Sequence, residues 1–341
     1  MTDATCSADS TITPIQPTKP LPTLKKRLAL LASWLFGILA VAAGVLGLWY
    51  YRFVNRAQPA PVRRAIFEGV TYVREVMPRP HPLVIHTIEV DLTNPNISFL
   101  VTPGDPAAAR PLRARKTSTF LKEFGVQVAV NGDYFFPFSS RGPFSYYPHE
   151  GDPVELEGYA WSRGVQYSKG GERHQFPVLY ISKDRKMSFH KPDWPIENAI
   201  SGICMLVRDG TASVPFPDKH KLEPCTAAVL SRDGKTFRIF VVEGRQPGYS
   251  EGLTLYQFAR LIQERGGWNA IDLDGGGSET LVMEGKDHQP VVLNSTIDHR
   301  IPGWERPVAN HLGIYSRRLP AEGAKPAAIG VPKRRTESAT M

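Results

Sequence analysis

From Leu28 to Tyr51 the chain carries 24 consecutive residues without a charge, almost all of them apolar. As a helix rising 1.5 Å per residue, such a run reaches roughly 36 Å, enough to cross a bilayer core with some tilt. Trp49, Tyr50 and Tyr51 close it with the aromatic residues that favour a membrane interface. Flanking charge leaves the orientation open. Lys19, Lys25, Lys26 and Arg27 precede the run, and Arg52, Arg56, Arg63 and Arg64 follow it. A short polar tail before one span and a large domain after it predict a signal anchor with residues 1–27 inside the cell. The alternative is a cleaved signal peptide, with Ala40-Val41-Ala42 as its small-residue site. Both place the rest of the chain outside the cytoplasm, on the outer face of the cytoplasmic membrane.

The net charge of +8 could indicate nucleic acid. Much of the excess lies in terminal tracts, however: beside the span, at Arg317 and Arg318, and at Lys333, Arg334 and Arg335. Such charge follows membrane topology, so no nucleic-acid partner is expected. Three cysteines are too few for a disulfide scaffold. Cys6 sits in the tail, and Cys204 and Cys225 either pair or remain two buried free thiols. No Cys-x-x-Cys or His-Glu-x-x-His pattern occurs; no metal and no cofactor is expected.

Residues 52–65 read as a linker, 66–316 as the folded domain, and 317–341 as a disordered basic tail. Within the domain, Leu83–Val90 and Ile97–Val101 read as strands. Phe120, Leu121 and Phe124 before Gly125 read as a short helix. Val126, Val128 and Val130 alternate with Gln127 and Ala129, the period of a half-buried strand. Residues 137–175 are rich in Pro, Gly, Ser and aromatic side chains, including Phe144, Tyr146, Tyr147, Tyr159 and Trp161. A connection this long is functional or mobile. Its rings either stack on sugars or pack the loop onto its own domain. Two hairpins follow, around Lys183–Lys186 and around Arg232-Asp233-Gly234. Thr254 and Gln257 form a capping box ahead of an apolar stripe that Gly266 ends. Strands outnumber helices and meet through short turns. The fold class expected is α+β, with mixed or antiparallel β-sheets and few helices, preceded by one N-terminal transmembrane helix.

The segment with most chemical content is Asn269–Met283. Ile271 and Leu273 share one face of a strand, so Asp272 and Asp274 share the other. Gly275, Gly276 and Gly277 free the backbone to approach an anionic oxygen. Leu281 and Met283 then alternate on a returning strand, and Asp-Gly between such runs is also a hairpin signature.

Four patches resemble the phosphodiester glycosidase family. They are Val130-Asn131-Gly132-Asp133-Tyr134-Phe135; Ile200-Ser201-Gly202; Val242–Leu255 running on into the Asp-Gly-Gly-Gly-Ser turn; and Glu305-Arg306-Pro307-Val308-Ala309-Asn310. The resemblance implies a glycosidase acting on a glycosyl-phosphate or related cell-surface glycan. Asp274 would be its nucleophile, base or electrostatic stabiliser. Arg245 and Gly275–Ser278 would face a phosphate, and Asn131 and Asn310 would position sugar hydroxyls. Asp133, Ser201, Thr226 and Arg306 complete the expected binding set. The chain departs from the family pattern in three places. Cys225 stands where relatives read Arg, Asp133 replaces a Gly, and Glu279 replaces a Ser. One cation fewer and two carboxylates more should weaken phosphate binding. They turn the expectation toward a neutral or cationic glycan, or toward lost activity. The rival readings are a non-catalytic glycan-binding or polysaccharide-assembly protein, and a metal-dependent hydrolase using Asp133, Asp272 and Asp274. The oligomeric state is left open by the sequence.

Overall fold

The computed structural model describes residues 23–170, 176–214 and 221–320. It divides into two units, one up to Phe53 and one from Val54 onward. The first is a single helix, Leu24–Val54, 31 residues long with none of its residues buried. An apolar surface of this extent along one helix suits a segment whose solvent is lipid. By length and composition it can cross a membrane, as a signal sequence also could. The expected cytoplasmic tail up to Pro22 and the basic tail from Ala321 lie outside the described residues.

The second unit is built from antiparallel sheets. The largest has eight strands in the order Val62–Phe67, Val70–Met77, Leu83–Asp91, Thr236–Val242, Cys225–Leu230, Asn269–Leu273, Met205–Arg208 and Thr211–Ala212. A five-stranded sheet runs Pro290–Val292, Leu281–Glu284, Val128–Asn131, His311–Tyr315 and Ser98–Val101. A second five-stranded sheet has Asn198–Ser201 at its centre. The inner faces of all three meet in one core, where Ile88, Ile239, Ile271 and Leu273 pack with Val128, Val130 and Leu312 and with Leu179 and Ile200.

Both larger sheets are covered on their outer faces by helices. In Cys225–Leu230, Ala228 and Leu230 enter the central core while Ala227 and Val229 pack beneath the helix Leu255–Glu264. That helix starts on the expected capping box: the Thr254 hydroxyl accepts from the Gln257 N–H at 3.2 Å, and Gln257 accepts from the Thr254 N–H at 3.0 Å. Helix Thr117–Phe124 ends on Gly125 in the left-handed region and lies over Ala129 and Val282.

Two expectations change here. Val128–Asn131 is buried on both faces, because Ala129 sits under a helix rather than facing water. And Asp274–Thr280 does not turn a hairpin. It carries the chain from the eight-stranded sheet to the five-stranded one, where Leu281–Glu284 pairs with Val128–Asn131 and Pro290–Val292. Cys204 and Cys225 are both free and buried. At the domain's beginning, Val62–Phe67 already pairs with Val70–Met77, and Arg318 bridges to Phe67 at its end. Residues 137–170 hold short strands rather than irregular chain.

The capping box gives a direct test of how the large sheet is closed. Thr254→Ala leaves the Gln257 N–H without its acceptor and should cost about 1 kcal/mol of domain stability, measured by denaturant unfolding.

Candidate functional site

The sheet-to-sheet crossover is fixed at both ends by one side chain. Asn131, wholly buried, donates from Nδ2 to the Asp274 carbonyl, and its Oδ1 accepts from the Thr280 N–H at 3.1 Å. The Thr226 hydroxyl adds a longer bond of 3.4 Å to the same Oδ1. Asn310 organises the neighbouring turn: its Oδ1 accepts from the Asp133 N–H at 2.8 Å and its carbonyl from the Gly132 N–H at 2.9 Å. Gly132 in turn accepts from the Asp274 N–H at 2.9 Å. Asn131, Thr226 and Asn310 therefore stand behind the site as braces, and of their side-chain polar atoms only the buried Asn310 Nδ2 has no hydrogen-bond partner among the described residues.

In front of them opens a cavity of about 440 Å³, lined by residues that include Tyr134, Phe138, Asp272, Asp274, Gly275–Gly277, Arg245 and Arg306. The glycines let two guanidinium groups pack directly on the loop. Gly276 has φ +63°, and a Cβ there would stand 2.9 Å from Arg245 Nη2. A Cβ on Gly277 would fall 2.3 Å from Arg306 Nη2. Any larger residue at either position displaces a cation from the cavity wall. Gly276 N–H donates to the Pro224 carbonyl and Ser278 N–H to the Gly275 carbonyl, so these two amides are engaged internally rather than offered to an anion.

Each arginine is held by a carboxylate. Arg245, at φ +59°, donates from Nε to Glu223, which also pairs with Lys221. Arg306 donates from Nε and Nη2 to Asp298 Oδ1 at 2.9 and 2.6 Å, and from Nη1 to the Ser278 hydroxyl at 3.1 Å. Its guanidinium lies 4.6 Å from the Phe138 ring centre. Glu223 and Asp298, which hold the two arginines, are not among the residues expected from the sequence. Glu223 precedes a recognisable Pro-Cys-Thr-Ala run, but nothing local marks it as the partner of a residue 22 positions on. Asp298 lies in a loop with no motif of its own.

The carboxyl groups are set apart by their surroundings. Burial pushes Asp274 up to about 6, against the pull of the Ser278 hydroxyl and the two arginines. Asp272 is raised well above the usual range, first by burial and then by the Asp274 charge. Burial thus raises both cavity carboxyls, and it is Asp274 that has a hydroxyl and two arginines pulling it back down.

The two added carboxyls behave differently from expectation. Asp133 is 2% exposed, turned away from the cavity to accept from the Ser201 hydroxyl and, at 2.7 Å, from the Tyr134 N–H; burial raises it to about 7. Glu279 is buried beside Asn294 and Glu243, and burial raises it well above the usual range. Neither lines the cavity wall, and neither adds a full negative charge to it. Of the three departures only Cys225 reaches the cavity, as a buried thiol where a cation was expected. Among the described residues no group of three His, Cys, Asp or Glu side chains is gathered to hold a metal ion. Asp133, Asp272 and Asp274 do not converge as ligands.

The phosphodiester glycosidase family model matches residues 124–315, more than half of the chain. The chain belongs to the phosphodiester glycosidase family. It is 25% identical over 206 residues to mouse N-acetylglucosamine-1-phosphodiester alpha-N-acetylglucosaminidase, covering 55% of this chain and 37% of the relative. It is 23% identical over 251 residues to the SPbeta prophage-derived uncharacterized protein YomE of Bacillus subtilis, 64% of this chain and 36% of that one. The chain thus spans little more than a third of these curated relatives. Among solved structures it superposes on the zebrafish N-acetylglucosamine-1-phosphodiester alpha-N-acetylglucosaminidase catalytic domain, auto-inhibited by its pro-peptide. The TM-score is 0.52 at 22% identity, over 78% of this chain and 93% of that one, a likeness of fold. Family membership supports a glycosidase-type function for the domain.

The burial of Asp133 has a measurable sign. Its folded pKa lies above the unfolded value of 3.8, so its contribution to stability is complete below about pH 4 and is lost as pH rises through 7. Asp133→Asn removes that dependence. Between pH 4 and 7 the variant should gain on the parent by on the order of 1.4 kcal/mol per pH unit, read from paired unfolding curves. Parallel curves at all pH values would place the Asp133 carboxyl in water.

Proposed function

We propose that the domain is a glycosidase that hydrolyses a glycosyl-phosphate, or a related cell-surface glycan linkage, on the outer face of the cytoplasmic membrane. The observation that carries this reading is the pairing of one ionisable carboxyl, Asp274, with two guanidinium groups packed on the adjoining glycines. Breaking a bond between an anomeric carbon and a phosphate oxygen sends the electron pair to the phosphate and leaves an oxocarbenium-like sugar. Asp274 supplies negative charge to that sugar, as nucleophile, base or electrostatic stabiliser. Arg245 and Arg306 receive the leaving phosphate, which is a weak base and needs little help from a general acid. Arg245 is held by Glu223 through Nε and lays Nη2 over Gly276, while Arg306 is held by Asp298 through Nε and Nη2 and by Ser278 through Nη1, against Gly277. Glu223 and Asp298 keep the two forks oriented before substrate arrives. Asp272 is raised by burial and by the neighbouring Asp274 charge, which leaves Asp274 as the carboxyl that carries charge opposite the sugar.

The kinetic signatures of the two central residues should differ. Arg245→Ala should lower kcat/KM by roughly 10²- to 10³-fold on glycosyl phosphates, with part of the loss in KM because the phosphate is charged before cleavage. Asp274→Asn keeps the shape and removes the charge, so it should act mainly on kcat. In the parent, activity should rise with pH through about 6 as Asp274 ionises. Full biological activity of Asp274→Asn would instead establish a non-catalytic glycan-binding protein, and loss of the cooperative thermal transition in both variants would make the residues structural. For location, a reporter enzyme fused after Arg318 should be active outside the cytoplasm. Activity confined to the cytoplasm would overturn both the anchor and the signal-peptide readings.

A further inference from the structure

The cavity wall includes aromatic rings that the proposed bond cleavage does not use, and more follow them along the chain. Phe135 and Phe138 line the cavity, with ring centres 5.9 Å apart in an edge-to-face arrangement. Directly after Phe138 the chain forms a two-stranded hairpin, Ser139–Gly142 with Ser145–Tyr147. At its tip Phe144 is 98% exposed and contributes to no core. One face of the hairpin is seated on the domain, where the Tyr147 hydroxyl donates to the Pro153 carbonyl at 2.7 Å. Tyr146 stacks edge-on against His149 and His299, at 4.3 and 4.9 Å, and His299 stands 6.1 Å from Trp304.

The same turn ties these rings to the site. Asp298 holds Arg306, and the next residue, His299, meets Tyr146 and accepts from or donates to the Ser140 hydroxyl at 3.2 Å. His299 and Arg300 both lie in the left-handed region, at φ +51° and +59°. Two consecutive non-glycine residues held there cost of order 1–3 kcal/mol each and persist where the surroundings fix them. The strain keeps one turn in contact with both the phosphate-side arginine and the hairpin.

We propose that Phe138, Phe144 and Tyr146 of the 138–147 hairpin, backed by the buried His299 side chain of the 298–304 loop, form a stacking platform that continues the cavity and holds further sugar rings of a polymeric glycan. This rests on the glycosidase reading for the class of ligand. The composition favours a sugar chain over a bilayer or a second copy. The rings alternate with Ser139, Ser140, Arg141 and Ser145, so hydroxyl and guanidinium donors stand between apolar faces instead of one contiguous apolar patch. Rigid aromatic area interleaved with serine is the makeup of surfaces that bind polar ligands. A platform in line with the cleavage cavity makes the substrate a chain whose terminal or internal sugar sits at Asp274, rather than a free glycosyl phosphate alone.

The test is affinity electrophoresis of the full-length protein in detergent micelles, in native gels containing dextran, xylan, alginate or glycol chitosan. At least one polymer should retard the parent protein, and Asp274→Asn should be retarded as strongly. Phe144→Ala and Tyr146→Ala should each weaken retention about 3- to 10-fold while keeping the cooperative thermal transition. Absence of retardation by every polymer, or retention unchanged in both ring variants, overturns the platform. A change of oligomeric state in Phe144→Ala without a change in retention would make the hairpin a contact between copies, and also overturns it. Retention that depends on Tyr146 in a protein without glycosyl-phosphate hydrolysis would leave the platform standing and remove only the hydrolase reading.

Discussion

The Asn131 amide is the interaction on which the site depends. Two sheets with separate hydrogen-bond networks meet where the chain crosses from Leu273 to Leu281, and that crossing contains three glycines. Glycine gives up the most conformational freedom on ordering, so the crossover is the least self-determined stretch of the core. Asn131 ends a strand of the second sheet, accepts from the loop's exit at Thr280 and donates to its entry at Asp274. With both ends pinned by one planar group, the loop's shape follows from the relative placement of the sheets. The helix cover on each outer face fixes that placement in turn. Nothing apolar replaces this amide, because a donor and an acceptor would be left buried and unpaired.

From the pinned loop the electrostatics follow. Glycine at 276 and 277 admits Arg245 and Arg306 to van der Waals contact with the backbone, and their carboxylate partners prevent them from turning to solvent. Two guanidinium groups then stand near Asp274 and counter part of the rise that burial imposes on it. Asp272 is instead raised further by the Asp274 charge, on top of its burial. Buried acids elsewhere are kept from competing. Asp133 is absorbed by Ser201 and the Tyr134 amide, and Glu279 by Asn294. Substitutions that look like added charge in one dimension therefore act as hydrogen-bond fillers in three.

Local signals in the sequence proved legible wherever the cause was local. The Thr254 capping box, the Gly125 helix stop, the Arg232-Asp233-Gly234 turn and the apolar run at 28–51 each reflect physics confined to a few neighbouring residues. The fold class followed from their order. What could not be read depended on long-range placement. Asp-Gly between alternating strands marks a hairpin only if both strands belong to one sheet, and here Leu273 and Leu281 do not. Val128–Asn131 alternates as a half-buried strand would, yet a small Ala129 suits a helix cover as well as a solvent face. Asp274, Arg245 and Arg306 were legible as a set because the family resemblance quoted them together. Glu223 and Asp298 were not, since a salt-bridge partner leaves no periodicity.

Backbone strain also bears on the site. Of the described non-glycine residues in the left-handed region, Arg245 lines the cavity and His299–Arg300 directly follow Asp298, while Arg163, Arg185, Asp209 and His288 sit in turns between paired strands elsewhere. Arg245 directs its guanidinium over Gly276, and the turn at 298–300 delivers Asp298 to Arg306. Relaxing any of these residues to an extended backbone would swing its side chain out of line with the loop. Each costs of order 1–3 kcal/mol, a substantial fraction of the marginal stability of a domain. The three buried sheet faces and two helix covers supply the stability that holds them. The frame thus carries the cost of holding both arginines in one orientation on the glycine loop.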